Sequence, residues 1–410
     1  MTKEKYYPFV MLGCATAVCF IYLGMVCNVM GLYTPAILEE YPNFSRSSFT
    51  LAVTLMNLLA ALGNMLHTPV RERVNIRGML VLGWGLTVTG MSCYASAHRL
   101  PVFYAAGALI GLGFGFCGSG TASLMVNAWF AKRRGTFVSV AMAGAGLGVA
   151  AASPVISRRI EQFGWRATFW LITGCVAVLG LILILIYRST PETAGLPGRW
   201  GEEPGQKREE TLKEKKKVRV REHPAYMTVL ILIFLMGIVL YSVMANLSVI
   251  ATDMGYSIIQ IGTMSSLMFA VNVVMQLPVG MGCDRFGTSR ILWIIVGLIS
   301  AVHLLFLVGG RLPFVCMLAA SVVFGCGKTG LNNLAVDLVQ EVVEEEDKPP
   351  MLSLGVAFLS LGSASGIYLV QMMYDLTGSY RLSYLILIAA AAVCVAIDLY
   401  LCRKRKGIQA

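Results

Sequence analysis

Residues 189–223 read STPETAGLPGRWGEEPGQKREETLKEKKKVRVREH, the one long polar stretch in the chain. Apolar runs flank it on both sides, and their lengths decide the fold. A bilayer core about 30 Å thick is crossed by about 20 predominantly apolar residues in a helix. Runs of that size fall near 8–34, 47–67, 78–97, 101–128, 136–157 and 167–188 before the polar stretch. After it they fall near 225–251, 258–281, 290–310, 313–340, 351–374 and 382–402. The composition agrees, since 57% of the 410 residues are hydrophobic and only 13% charged, whereas a soluble domain carries about 25% charged residues. Forty-two glycines offer the small surfaces through which helices approach closely in lipid. The expected fold is an all-α membrane protein with twelve transmembrane helices in two pseudo-symmetric six-helix bundles, 1–188 and 224–410, joined by the linker 189–223.

A net charge of +11 suggests nucleic acid until the charges are placed along the chain. Of the 33 Lys and Arg residues, 25 fall on the side of the membrane that holds the N-terminus, seven on the other, and Lys328 on neither. By the positive-inside rule both termini and the linker face the cytoplasm. The basic run KEKKKVRVR at 213–221 sits among acids that offset most of the linker's charge, so anionic lipid headgroups are the expected partner rather than nucleic acid. The start MTKEK precedes an apolar run too long for a signal-peptide core and reads as a retained first span. Most of the eleven cysteines lie inside apolar runs, where they act as small hydrophobes. None pairs at zinc-ligand spacing and the four histidines are scattered, so no metal or cofactor is expected. Short loops on the far side favour a prokaryote, with the protein expected in its inner (plasma) membrane, and a monomer is expected.

After the eighth span, GMGCDRFGTSR sets Gly280, Asp284, Arg285, Gly287 and Arg290 in the pattern G-x-x-x-D-R-x-G-x-x-R. An acid near a helix end and neighbouring arginines can form a charge-assisted latch between helices, and glycine permits the tight turn. With six plus six spans around a charged linker, this pattern resembles the major facilitator superfamily, whose signature cytoplasmic loop it matches. The corresponding loop after the second span, RERVNIRG at 71–78, keeps the basic character but lacks the Asp and Gly at those spacings, and Glu72 is the acid available there. Four further stretches resemble the monocarboxylate and oxalate:formate porter group. They are GLYTPAILEEYPNFSRSS at 31–48, WFAKRRG at 129–135, the glycines Gly144, Gly146 and Gly148 followed by Pro154, and FGWRATF at 163–169. The first span lacks the acidic-glycine-tryptophan signature of the animal monocarboxylate porters. Spans 8 and 11 lack the buried Arg and Lys that the oxalate porters use for a dianion.

Several motifs dissolve in context. GFGFCG at 113–118 satisfies G-x-G-x-x-G but lies inside an apolar helical run, so it reads as helix packing rather than a dinucleotide site. GKT at 327–329 has Val322 where a phosphate loop needs glycine, which argues against ATP and for a gradient as the energy source. The acidic run EVVEEEDK at 341–348 reads as a solvated loop, and His303 as a core or lipid-interface histidine. Asn57 and Asn64 read as hydrogen-bonding links between helices. Asp337 and Asp398 sit near the cytoplasmic interface, where a solvated structural role is expected.

Transporters with two such halves bind solute near the membrane midplane, between halves that rock around the site. Counting about 1.5 Å per residue, the polar positions near mid-depth are Tyr22, Ser119, Tyr241, Asn272, Lys328 and Ser363, with Asn28, Asn246, Gln276, Asn332 and Tyr368 a turn or two away. Lys328 stands out because a Lys at the bilayer centre costs about 2.5–3.5 kcal/mol even on a permissive insertion scale. Gly325, Gly327 and Gly330 leave room around it, and Thr329, Asn332 and Asn333 add hydrogen-bonding capacity. The expected function is secondary active transport of a small organic anion, a mono- or dicarboxylate, with Lys328 as the anion-binding charge and protons or a counter-anion as the coupled species. No nucleophile–base or paired-carboxylate constellation points to an enzyme. An exporter of hydrophobic or cationic drugs would place acids in the middle of spans 1, 4, 7 and 8, which carry none; a non-transporting membrane sensor is the remaining alternative.

Overall fold

The computed structural model describes residues 3–66, 70, 73–195, 198–201, 224–308, 313–343 and 347–409. The first span is a composite: α1 (Lys3–Val18) runs into a π-helical stretch Cys19–Val26, a 3-10 turn Cys27–Val29 and then α2 (Met30–Glu40). There follow α3 (Arg46–Met65), α4 (Ile76–Ala95), and a fourth span broken into α5 (Leu100–Cys117) and α6 (Ser119–Trp129). The next helix, α7 (Arg134–Ile186), has 53 residues. At about 1.5 Å per residue it would be about 80 Å long if straight, far more than a bilayer. It is two spans, because Gly164 interrupts it with φ 78° and ψ 165°, a left-handed conformation that glycine adopts without penalty. The loop expected at 158–166 is thereby reduced to a corner on one residue.

The second half comprises α8 (Pro224–Asp253), α9 (Ile258–Phe286), α10 (Thr288–Val308), α11 (Phe314–Val342), α12 (Lys348–Thr377) and α13 (Arg381–Gln409). Ten helices among the described residues are long and apolar enough to cross a membrane. Dividing the 53-residue helix at Gly164, and adding α11 with its shorter apolar part Phe314–Gly330, gives the twelve spans. The basic run 213–221, Glu72 and Glu344 to Glu346 lie outside the described residues.

Contacts divide the chain into two compact units, Met1–Tyr41 with Leu55–Thr211, and Pro42–Thr54 with Leu212–Ala410. In the first unit, span 1 lies on span 5 and span 2 on span 4 through glycine. A methyl added at Gly24 would come within 2.6 Å of the Gly148 Cα, and one at Gly63 within 2.8 Å of the Gly115 Cα. Gly113 and Gly115 of the G-x-G-x-x-G run, and Gly111 just before it, each face a neighbouring helix at such range, so this stretch is packing surface. In the second unit, span 7 lies on span 11 through Gly237, Gly362 and Gly366, and span 8 on span 10 through Gly325. The pairing 1–5 and 2–4 recurs as 7–11 and 8–10, which is the pseudo-symmetry written in glycine.

Candidate functional site

The three expected site residues of the first unit stand where helices depart from α geometry. Tyr22 lies in the π-helical stretch, Asn28 in the 3-10 turn, and Ser119 opens α6 just after the break at Gly118 (φ −84°, ψ −153°). Irregular backbone at membrane depth is tolerated where protein or a cavity, not lipid, surrounds it, and π-helical turns are frequent at functional sites. Tyr22 is fully buried, with its hydroxyl against Gly180 and Cys117. Asn28 and Ser119 are half-buried. The Ser119 carbonyl accepts a hydrogen bond from the Ser123 hydroxyl at 3.0 Å.

In the second unit the charge is at Lys328 of α11, the one buried Lys or Arg among the described residues, at 8% exposure. Its Nζ stands 3.9 Å from the centroid of the Phe269 ring on α9 and 5.5 Å from that of Tyr241 on α8. A desolvated cation over an aromatic face gains about 2 kcal/mol, which offsets much of the cost of a Lys at this depth. Beside it, Asn272 Nδ2 donates to Thr329 Oγ1 (2.9 Å), and the Thr329 hydroxyl donates to the Asn272 carbonyl (2.9 Å). The structure therefore brings Lys328, Tyr241 and Asn272 into one neighbourhood and adds Phe269 and Thr329 to it. Ser363 is buried with its hydroxyl donating to the Leu359 carbonyl of its own helix (2.8 Å). Tyr368 is half-buried. The side chain of Asn332 lies outside the described ones.

The latch motif forms the end of α9 and a corner. Gly280 is in α9, and Gly287 (φ 88°, ψ 148°) ends that helix and lets α10 begin at Thr288. Arg285 and Arg290 are exposed, with the Arg285 guanidinium 5.4 Å from the Phe286 ring. The side chain of Asp284 lies outside the described ones. Close by, the Thr288 hydroxyl donates to the carboxylate of Glu341 at the end of α11.

Two stretches that resemble the porter group meet at the far end of the first unit. Arg166 donates to Glu40 (3.0 Å), to the Tyr41 hydroxyl (2.6 Å) and to the Ala95 carbonyl (2.6 Å), while Trp165 Nε1 donates to the other oxygen of Glu40. A third, WFAKRRG, has its Phe130 packed with Phe9, Phe137 and Trp200, and the Trp200 amide donates to the Trp129 carbonyl (2.9 Å). In the second unit, Arg46 forms an ion pair with Asp253, donates to the Tyr380 hydroxyl (2.8 Å) and lies 4.0 Å from the Tyr374 ring centroid.

The sequence reading missed Phe269, Arg46 and Gln371. Fully buried Gln371 donates to Asn246 Oδ1 (2.9 Å), and Asn246 donates on to the Ile367 carbonyl (3.1 Å), joining α8 to α12. Asp398 corrects an expectation. It is fully buried rather than solvated, accepting from Trp293 Nε1 (2.9 Å) and Ser289 Oγ (3.2 Å), because the face of α13 that carries it packs on α10. His303 is a core histidine, stacked on Tyr384 with ring centroids 6.2 Å apart.

Comparison with known proteins extends these observations. The model of the Major Facilitator Superfamily matches residues 14–307 and 229–407. Monocarboxylate transporter 12 of Mus musculus is 32% identical over 148 residues, 34% of this chain and 30% of that protein. The oxalate:formate antiporter of Oxalobacter formigenes is 33% identical over 107 residues, 26% of this chain and 25% of that protein. The matched segments thus span less than a third of these relatives. Among solved structures, the nucleoside transporter NupG is similar with a TM-score of 0.77 at 12% identity, covering 98% of this chain and 99% of that one. A bacterial homolog of the human lysosomal transporter Spinster, inward-facing and unoccupied, reaches 0.74 at 14% identity, covering 97% and 98%. At such identities the likeness bears on the fold. With the family model matched along nearly the whole chain and the glycine pairing of spans repeated in both units, the chain belongs to the Major Facilitator Superfamily.

Proposed function

We propose that the protein is a secondary active transporter that moves a small organic anion, a mono- or dicarboxylate, across the plasma membrane by alternating access. The observation that carries this reading is Lys328, a cation held inside the second unit between two aromatic rings, with Asn272 and Thr329 beside it. A carboxylate fits an ammonium and neighbouring amide and hydroxyl donors. The names of two relatives, a monocarboxylate transporter and an oxalate:formate antiporter, favour the same class of solute. Tyr22, Asn28 and Ser119 on irregular backbone are the residues of the first unit proposed to meet the solute, with Tyr241, Asn332, Ser363 and Tyr368 from the second.

The test is uptake by proteoliposomes across a panel of mono- and dicarboxylates, with and without a pH gradient, comparing the parent protein with Lys328→Gln and Lys328→Arg. Lys328→Gln is expected to abolish anion uptake at matched amounts of folded protein. Lys328→Arg is expected to transport with altered selectivity, since a planar fork does not replace an ammonium. Parental uptake in Lys328→Gln refutes the assignment.

The latch belongs to the same proposal. Asp284, with Arg285 and Arg290, is assigned to tie helices in one state of the transport cycle, with Gly287 making the corner and Gly280 in the helix leading to it. Asp284→Asn is expected to slow transport several-fold while insertion stays intact; equal rates at matched membrane abundance remove the role.

A further inference from the structure

The ammonium of Lys328 is aimed by the register of two helices. On α11, Gly325, Lys328 and Thr329 lie three and four residues apart and so share one face. A methyl added at Gly325 would lie 2.5 Å from the Met268 carbonyl, so α9 and α11 meet backbone to backbone at this level. One turn along, the paired hydrogen bonds between Thr329 and Asn272 join the two helices in this register. Between these two anchors, Phe269 is the α9 residue set against Lys328, its ring centroid 3.9 Å from Nζ. A long flexible side chain has many ways to carry its charge toward water; a ring face at that distance favours one of them.

We propose that Phe269 is a positioning residue that keeps the Lys328 ammonium in its anion-receiving place before solute arrives, and so sets the apparent affinity of the transporter. This rests on the assignment of Lys328 to the anion. The affinity of a site scales with the fraction of molecules already in the competent arrangement. Without the ring face, Lys328 spends part of its time elsewhere and each binding event must return it. The cost falls on affinity, while turnover of the loaded protein changes little.

The experiment measures uptake of acetate, benzoate and succinate by proteoliposomes, with Phe269 replaced by mono-, di- and trifluorinated phenylalanine, by Leu and by Tyr. Fluorine withdraws electron density from the ring face and leaves its shape, so a residue that merely fills space is indifferent to the series. Apparent KM is expected to rise stepwise with fluorination and to reach about tenfold in Phe269→Leu, in keeping with a partial loss of the cation–ring attraction. The kcat is expected to change less than twofold, and Phe269→Tyr to restore the parental KM. A flat series, with Lys328→Gln inactive, overturns the positioning role and leaves the assignment of Lys328 standing. Parental uptake in Lys328→Gln overturns the assignment itself. Absence of uptake of all three anions by the parent protein overturns the carboxylate reading, and the positioning role with it.

Discussion

Among the described residues, neither ring nitrogen of His303 finds a hydrogen-bond partner, although the side chain is fully buried in the second unit. An orphaned buried polar group costs about 1–3 kcal/mol. His303→Phe keeps the stack on Tyr384 and removes the orphaned nitrogens, so it is expected to raise the midpoint of thermal unfolding in detergent by a few degrees. A fall of that size would show that the imidazole makes a contact the protein needs. At this scale the sequence was informative about position along a helix and silent about direction. Counting from Pro313 sets how far Lys328 lies along its span, because rise along a helix is fixed. Phe269 could not be matched to it, since which residues of two spans face one another depends on how each is rotated about its axis. Gln371 and Asn246 show the same blindness, being 125 positions apart and yet in contact.

Among elements, the close approaches of spans 7 and 11 are the most exacting. A methyl at Gly362 would overlap the Phe234 carbonyl, whereas one at Gly174, also inside a helix, meets nothing within 4 Å. Gly362→Ala is expected to destabilise by about 1–3 kcal/mol, as overpacking does, and Gly174→Ala to be neutral or slightly stabilising, as exchange of a helical glycine for alanine allows. Matched thermal unfolding of the two variants in detergent checks this; equal midpoints would mean that the helices separate without cost. The spans themselves were readable because apolar length is a composition signal. Their interruptions were not. The π-helical stretch at Cys19–Val26 does not follow from local propensity, since its surroundings are apolar, and the Gly-Ser-Gly run at the break at Gly118 stands in a span whose other glycines stay helical. The corner at Gly164 was hidden for the opposite reason: RRIEQFGWRA has the polarity of a loop and yet stays helical on both sides of one residue.

For the whole molecule, the excess of Lys and Arg on one side leads us to expect both termini and residues 189–223 in the cytoplasm. Ser189→Cys, in a background cleared of reactive native cysteines, is expected to resist impermeant thiol reagents in intact cells and to react after the membrane is opened. Labelling in intact cells would invert the orientation. The single-residue corners at Gly164 and Gly287 bear on how such a protein can be handled and how its family can change. An epitope, a protease site or a fluorescent partner inserted at either corner has no slack to enter and must break a helix to be accommodated. Length at these two points is therefore expected to be held fixed through descent while the 189–223 segment drifts, and fusions made for imaging or purification belong in that segment or at the chain ends.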